Sequence, residues 1–268
     1  MQRENFEMDL GLKGKNAAVT GSSQGIGNAI ANSLADEGCN VALSARGEDR
    51  LNQAVAEIEA KGVKAVGIIC DLSTEAGCKQ FADEAAAALG GIDILVNNVG
   101  GMIPGTLDGL DEDTWSTVLD LNLMSFVYTT KHAIAHLKES SAGRVLCVSG
   151  VTGKQLLPGA LTTTIPNTAI HGFAKVMAEQ LGKDGITVNT ICPGFTNTES
   201  WGPRAEGMAK VRGVTADQVR DGISAMTMLG RWAEPKEIGD AAAWIVSEKN
   251  SYMTGTVVEV CGGFTRYI

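Results

Sequence analysis

With 268 residues and a net charge of −9, the chain is too acidic for a general nucleic-acid binder, which needs clustered Lys and Arg against phosphate. Its length allows one large α/β domain or two small ones, and 44% apolar residues with 33 glycines suit a globular fold with many tight turns that needs no disulfide staples. No apolar run has membrane-spanning length or reads as a signal peptide. The six cysteines (Cys39, Cys70, Cys78, Cys147, Cys192, Cys261) show no metal-like spacing and read as buried free thiols in a reducing compartment, so a cytoplasmic protein without a metal site is expected.

Strand-like and helix-like runs alternate along the chain. NAAVT (16–20) is a short apolar run before a Gly-rich turn, and residues 26–38 then place Ile26, Ile30 and Leu34 at helical spacing. VALSAR (41–46) reads as a strand and 50–62 as a helix closed by Gly62. KAVGIICD (64–71) is a third strand, followed by a helix over about 75–89. DILVNN (93–98) has the continuous apolar character of a strand covered on both faces. A long helical stretch from about Glu112 to Lys138 leads to the strand RVLCVS (144–149). A helix over about Ile165–Leu181 and the strand TVNTIC (187–192) come next. The chain closes with a polar, Gly-rich region, a helix near 235–247 and the strand TVVEVC (256–261). This alternation predicts an α/β fold, a doubly wound parallel sheet in a single Rossmann-type domain. The segment 195–230 follows a strand end, where open α/β sheets bind ligands, and is expected to be a substrate-covering lid; an ordinary surface excursion is the alternative.

Between the first strand and first helix stands Thr20-Gly21-Ser22-Ser23-Gln24-Gly25-Ile26-Gly27. A strand turning sharply into a helix offers free N–H groups to phosphate, and glycine lets the backbone approach it closely. At the end of the second strand Arg46, rather than a carboxylate, favours a 2′-phosphate over a free ribose, so NADP(H) is expected ahead of NAD(H). The ordered motifs TGxxxGIG, Asp71-Leu72, Asn97-Asn98-Val99-Gly100, Pro193-Gly194-Phe195-Thr196-Asn197-Thr198 and Cys261-Gly262-Gly263 resemble those of the short-chain dehydrogenase/reductase family. The resemblance runs from about Gly11 to Gly263. It implies that Gly21, Ser23, Gln24, Gly25, Ile26 and Gly27 hold the pyrophosphate side, with Gln24 where many NADP-using relatives carry a second basic residue. It also implies that Asp71 and Leu72 meet the adenine, that Asn98 and Gly100 line the cofactor, and that Pro193, Gly194, Phe195 and Thr198 meet the nicotinamide. Homodimers or homotetramers built through the helices near 112–138 and 165–181, acting on a small-molecule substrate, are expected on the same ground.

The family usually works with Asn, Ser, Tyr and Lys. The run His171-Gly172-Phe173-Ala174-Lys175 imitates YxxxK, but the segment Gly172–Ala178 resembles the one that follows the catalytic Lys. Counting from it, and independently from Ser149-Gly150, aligns the four positions with Asn122, Gly150, Thr163 and Asn167. A Thr hydroxyl is a far weaker acid than a phenol, and Asn carries no charge to lower a neighbour's pKa. The proton donor is left open among His171, Lys175, Lys154 and water. His171 is eight residues, about 12 Å of helix, beyond Thr163, and Ser149 is expected on the opposite strand face from position 150, in a core or turn role. His132 and His136 have metal-ligand spacing without a third ligand and read as a helix surface. Three functions remain: a carbonyl or secondary-alcohol oxidoreductase with a non-standard site, a non-redox enzyme such as a dehydratase, isomerase or lyase on this scaffold, or an inactive nucleotide-binding protein.

Overall fold

Seven strands form one parallel sheet in the order β3-β2-β1-β4-β5-β6-β7. They are β1 (Asn16–Val19), β2 (Asn40–Ala45), β3 (Ala65–Ile69), β4 (Ile94–Asn97), β5 (Arg144–Val148), β6 (Thr187–Pro193) and β7 (Val257–Val260). The computed structural model describes residues 8–157 and 159–267. Side chains alternate between two cores. Ile94, Val96, Leu146 and Val148 face one layer, and Leu95, Val145 and Cys147 face the other, as the two-residue strand period requires. The first layer is supplied by α1 (Gly25–Asp36), α2 (Glu48–Glu59) and α9 (Pro235–Val246). The second is supplied by α3 (Glu75–Leu89), α5 (Ser125–Glu139) and α6 (Leu161–Gly182). Coverage on both sides explains the unbroken apolar character of the central strands. The strand order reverses between β1 and β4, which opens a crevice beyond their C-terminal ends.

Three elements differ from the sequence reading. The run 112–138 is broken into α4 (Glu112–Leu119), a π-helical turn (Asp120–Met124) and α5. Such a turn inserts one extra residue without breaking the hydrogen-bonded run, so hydrophobic periodicity hides it. Helix α6 starts at Leu161 rather than near Ile165, with Pro166 inside it. The ring removes one backbone donor, and burial of Pro166 and Ile170 holds the helix together around it. The segment 195–230 is a helical hairpin rather than a polar, Gly-rich excursion. Helices α7 (Trp201–Arg212) and α8 (Ala216–Ser224) close on Ala205, Ala209, Val219, Ile223 and Trp232. A full capping box between Thr215 and Gln218 starts the second of them.

All six cysteines are buried and free. Burial pushes the Cys39, Cys70 and Cys147 thiols up to about 12 and that of Cys192 to about 11, so almost no thiolate exists near neutrality. The native chain is therefore expected to resist a thiol-specific disulfide reagent at pH 8, while the denaturant-unfolded chain titrates all six cysteines. Rapid labelling of the native chain is the contrary result. Among the described residues no helix is long and apolar enough to cross a membrane.

Candidate active site

A cavity of about 540 Å³ lies beyond the C-terminal ends of the central strands, within the size range of small-molecule sites. All the residues expected around a nucleotide line it: Gly21, Ser23, Gln24, Gly25, Ile26, Gly27, Arg46, Asp71, Leu72, Asn98, Gly100, Pro193, Gly194, Phe195 and Thr198. Asn122, Gly150, Thr163 and Asn167 line it as well.

The glycine loop is held in shape from below. The Thr20 hydroxyl accepts the backbone N–H groups of Asn98 (2.8 Å) and Val99 (3.1 Å), and Asn98 Nδ2 donates to the carbonyls of Thr20 and Gly21, both at 3.0 Å. Gly21 and Gly25 have φ of 60° and 63°, the left-handed region that glycine enters without strain. A Cβ on Gly27 would stand 2.4 Å from both the Gly21 carbonyl oxygen and Asn98 Nδ2, so only hydrogen fits there. Helix α1 begins with no side-chain cap and no acidic residue in its first turn. Its free N–H groups and positive dipole end therefore suit a pyrophosphate.

At the next strand end Arg46 is exposed at the cavity rim. Arg50, in the first turns of α2, donates to Gln24 Oε1, so a second guanidinium stands beside the position where sequence reasoning found only an amide. Its place in the first turn of the helix that follows Arg46 was the available signal. Hydrogen bonds from the Ser73 hydroxyl (2.7 Å) and backbone N–H (3.0 Å) hold the Asp71 carboxyl below the usual range, with a smaller contribution from the Arg46 charge.

At the opposite end the π-helical turn buries Asn122, whose side chain accepts from Gly101 N (2.7 Å) and donates to Gly101 O (2.8 Å). Thr163 lies in the first turn of α6, its hydroxyl donating to Ala160 O at 3.0 Å. Asn167 Nδ2 donates to Thr152 Oγ1 at 2.8 Å. Gly194 lies so close to the last strand that a Cβ would meet Cys261 Cα at 2.7 Å, which fixes the nicotinamide-side segment against β7.

The candidate proton donors separate clearly. Lys175 is exposed and donates to Gly255 O (3.1 Å). Lys154 pairs with Glu259 on β7 (2.6 Å), which also accepts from Tyr267 (2.9 Å). Neither lysine is among the residues lining the cavity. His171 is also absent from the lining, but its Nε2 lies 2.9 Å from the hydroxyl of Ser149, and Ser149 does line it. Cys192 Sγ completes the cluster, 2.9 Å from Ser149 Oγ and 3.3 Å from His171 Nε2. Burial, and secondarily the Lys154 charge, lower the His171 pKa, with Glu259 opposing them. The imidazole is thus neutral near pH 7 and suited to accept the Ser149 proton. Strand alternation predicts Ser149 on the opposite face from position 150, in a core or turn role; past the end of β5 both positions instead meet α6, Ser149 at His171 and a Cβ on Gly150 at Asn167, and both line the cavity. His132 meets Glu75 (3.2 Å) on the helix surface, and no group of three or more metal-ligating side chains occurs among the described residues.

The family model for enoyl-(acyl carrier protein) reductase matches residues 21–265. The chain belongs to the short-chain dehydrogenase/reductase family. Within this family it is 34% identical to the 3-oxoacyl-(acyl-carrier-protein) reductase of Vibrio cholerae, over 95% of this chain and 98% of that protein. It is similar in shape to L-sorbose reductase from Gluconobacter frateurii, solved with NADPH and L-sorbose, with a TM-score of 0.93 at 29% identity over 97% of this chain and all of that one. An actinorhodin polyketide ketoreductase solved with NADPH gives a TM-score of 0.90 at 30% identity, over 94% of this chain and 98% of that one.

Proposed function

We propose that this chain is an NADP(H)-dependent oxidoreductase that interconverts a carbonyl and a secondary alcohol through a non-standard catalytic site. The observation that carries the reading is that one cavity joins the glycine loop and Arg46 to the intact nicotinamide-side segment Pro193–Thr198, which a protein using only the adenosine half has no need to keep. The NADPH in both solved relatives and their reductase names support it. Arg46, with Arg50 behind Gln24, would hold the 2′-phosphate, and α1 the pyrophosphate. Bound, the nucleotide supplies or takes the hydride. Measured by nicotinamide absorbance against a panel of ketones and secondary alcohols, turnover is the expected result, and tight NADPH binding with no oxidation by any of them overturns the reading.

The departure from the family lies at Gly150, Thr163 and Asn167, where Ser, Tyr and Lys usually stand, while Asn122 is kept. Thr163, its hydroxyl turned onto Ala160, contributes shape rather than acidity. The proton path runs instead through Ser149 and His171. When an alcohol is oxidised, the substrate hydroxyl proton passes to Ser149 Oγ as the Ser149 proton passes to His171 Nε2; reduction reverses both transfers. Ser149→Ala is expected to lower kcat about 10²- to 10³-fold, the usual yield of general acid–base catalysis, with NADPH affinity unchanged. Because the His171 pKa is depressed, alcohol oxidation should persist at neutral pH and fall only as acid protonates the ring. A Ser149→Ala enzyme with wild-type kcat and pH profile eliminates the relay.

The α7–α8 hairpin, which brings Thr198–Trp201 and Arg204 to the cavity, serves as the substrate-covering element. The exposed Ile165 and Val176 on α6 suit a homodimer or homotetramer contact, and the buried thiols suit a cytoplasmic location.

A further inference from the structure

The first turn of α7 places Arg204 in the cavity lining. The guanidinium is half-buried and lies 5.5 Å from the centre of the Trp201 ring. Trp201 in turn packs edge-on against Phe195 (5.6 Å) and Trp232 (4.8 Å), so the platform beneath the arginine is fixed. Burial alone draws the Arg204 pKa below its ordinary value, with no carboxylate raising it back. Among the described residues Arg204 has no ion-pair partner. Glu206, two residues along, is exposed, and Glu199, which lines the cavity, approaches the glycine loop instead, its Oε2 3.9 Å from where a Cβ on Gly25 would stand. A half-buried guanidinium cannot shed its proton, and an aromatic face does not neutralise it.

We propose that Arg204 is a substrate-anchoring residue that binds an anionic group, a carboxylate or a phosphate ester, carried by the carbonyl or alcohol substrate. This rests on the oxidoreductase reading and adds the substrate class to it. The nucleotide's own 2′-phosphate is not the partner. Arg46 follows β2 and Arg204 follows β6, and β1, β4 and β5 lie between them, about 19 Å at the usual strand spacing. On the β4, β5 and β6 side the same cavity is lined by Met102, Leu157, Ala160, Phe195 and Trp201. They form an apolar wall in which one fixed cation sets orientation, and the planar fork pairs with carboxylate or phosphate through two parallel hydrogen bonds.

The test uses the full chain saturated with NADP⁺, so that the nucleotide's own phosphate sites are filled, and probes that cannot be reduced. Glutarate, inorganic phosphate and dimethyl glutarate are titrated by calorimetry into wild type, Arg204→Met and Arg204→Lys. The expected result is that glutarate or phosphate binds wild type, about tenfold or more weakly in Arg204→Met, with Arg204→Lys between them. Dimethyl glutarate should not distinguish the three, and NADPH affinity should stay within about twofold. Preference for glutarate assigns a carboxylate, and preference for phosphate a phosphate ester. The proposal is overturned if neither anion binds wild type, if both bind Arg204→Met equally well, or if the substitution weakens NADPH instead. No hydride transfer is involved, so an Arg204-dependent anion site in a chain that reduces no ketone would sink the oxidoreductase reading while leaving the anion site itself established.

Discussion

Arg46→Asp is expected to reverse the nucleotide preference, weakening NADPH about 100-fold or more while leaving NADH within a few-fold of wild type. A charge-assisted hydrogen bond contributes about 1.5–3 kcal/mol, which is roughly 10- to 150-fold in affinity. Arg46 is exposed, and an exposed ion pair between side chains would contribute far less. The 2′-phosphate differs because it carries close to two charges and three acceptor oxygens. The local field enlarges the effect. Asp71 stays ionised, held mainly by Ser73 and in part by the Arg46 charge. Removing the guanidinium would leave that carboxylate, and the new one, facing the phosphate. The substituted Asp would also accept hydrogen bonds from a free ribose, as in NAD-selective sites. Arg50, tied to Gln24, would retain part of the attraction, so Arg46→Ala alone should fall near the lower end of the range and the Arg46→Ala, Arg50→Ala pair should add to it. Titration of nicotinamide fluorescence with each nucleotide decides the matter. An Arg46→Asp chain whose NADPH-to-NADH affinity ratio matches wild type would remove Arg46 from the site.

The nucleotide half was legible because it is specified by backbone. A left-handed glycine, a Cβ that cannot fit at Gly27 and a β-strand ending at Asn97, just before Asn98, leave local marks that survive in one sequence. For the proposed reacting half, counting along the chain reached residues that line the cavity but not how they connect. Asn122, Gly150, Thr163 and Asn167 were placed by counting, and all four reach the cavity. The count could not show that Ser149 faces both the cavity and His171, since that pairing joins residues 22 apart across the β5–α6 connection. Arg204 and Trp201 were hidden for a related reason. Residues 195–230 read as an irregular, polar and Gly-rich lid because their glycines and charges outweigh a short apolar stripe, whereas the Ala205, Ala209, Val219, Ile223 and Trp232 contacts that make the hairpin appear only when the two helices meet. The late start assigned to α6 has a simpler cause, Pro166, whose helix-breaking tendency is overridden by tertiary packing.

Restoring the family's residues with the triple variant Gly150→Ser, Thr163→Tyr and Asn167→Lys is expected to raise turnover about 10²- to 10⁴-fold, the range that a positioned acid–base group supplies. The backbone is already arranged for it. A Cβ on Gly150 would meet Asn167 Nδ2 at 3.0 Å, a flexible side-chain end that the triple variant itself replaces. The cavity lining includes Phe126 and Ile170, both almost fully buried, so a phenol at 163 would have depth to occupy. The register between loop and helix is also fixed. A Cβ on Gly153 would stand 2.9 Å from the backbone carbon of Asn167 and 2.8 Å from His171 Cε1, so the loop after β5 lies flush against α6 and cannot slide by a turn. The cost is the Asn167–Thr152 hydrogen bond, a part-buried contact of about 1 kcal/mol, which a 268-residue fold tolerates. The decisive comparison adds Ser149→Ala to the triple variant. With a phenol beside the reacting oxygen the serine–imidazole path becomes dispensable, so the added substitution should change kcat by less than about twofold, against the 10²- to 10³-fold loss expected without the restored residues. A folded, NADPH-binding triple variant that gains nothing on ketones the wild type reduces would mean that position 163 is not where the proton is delivered.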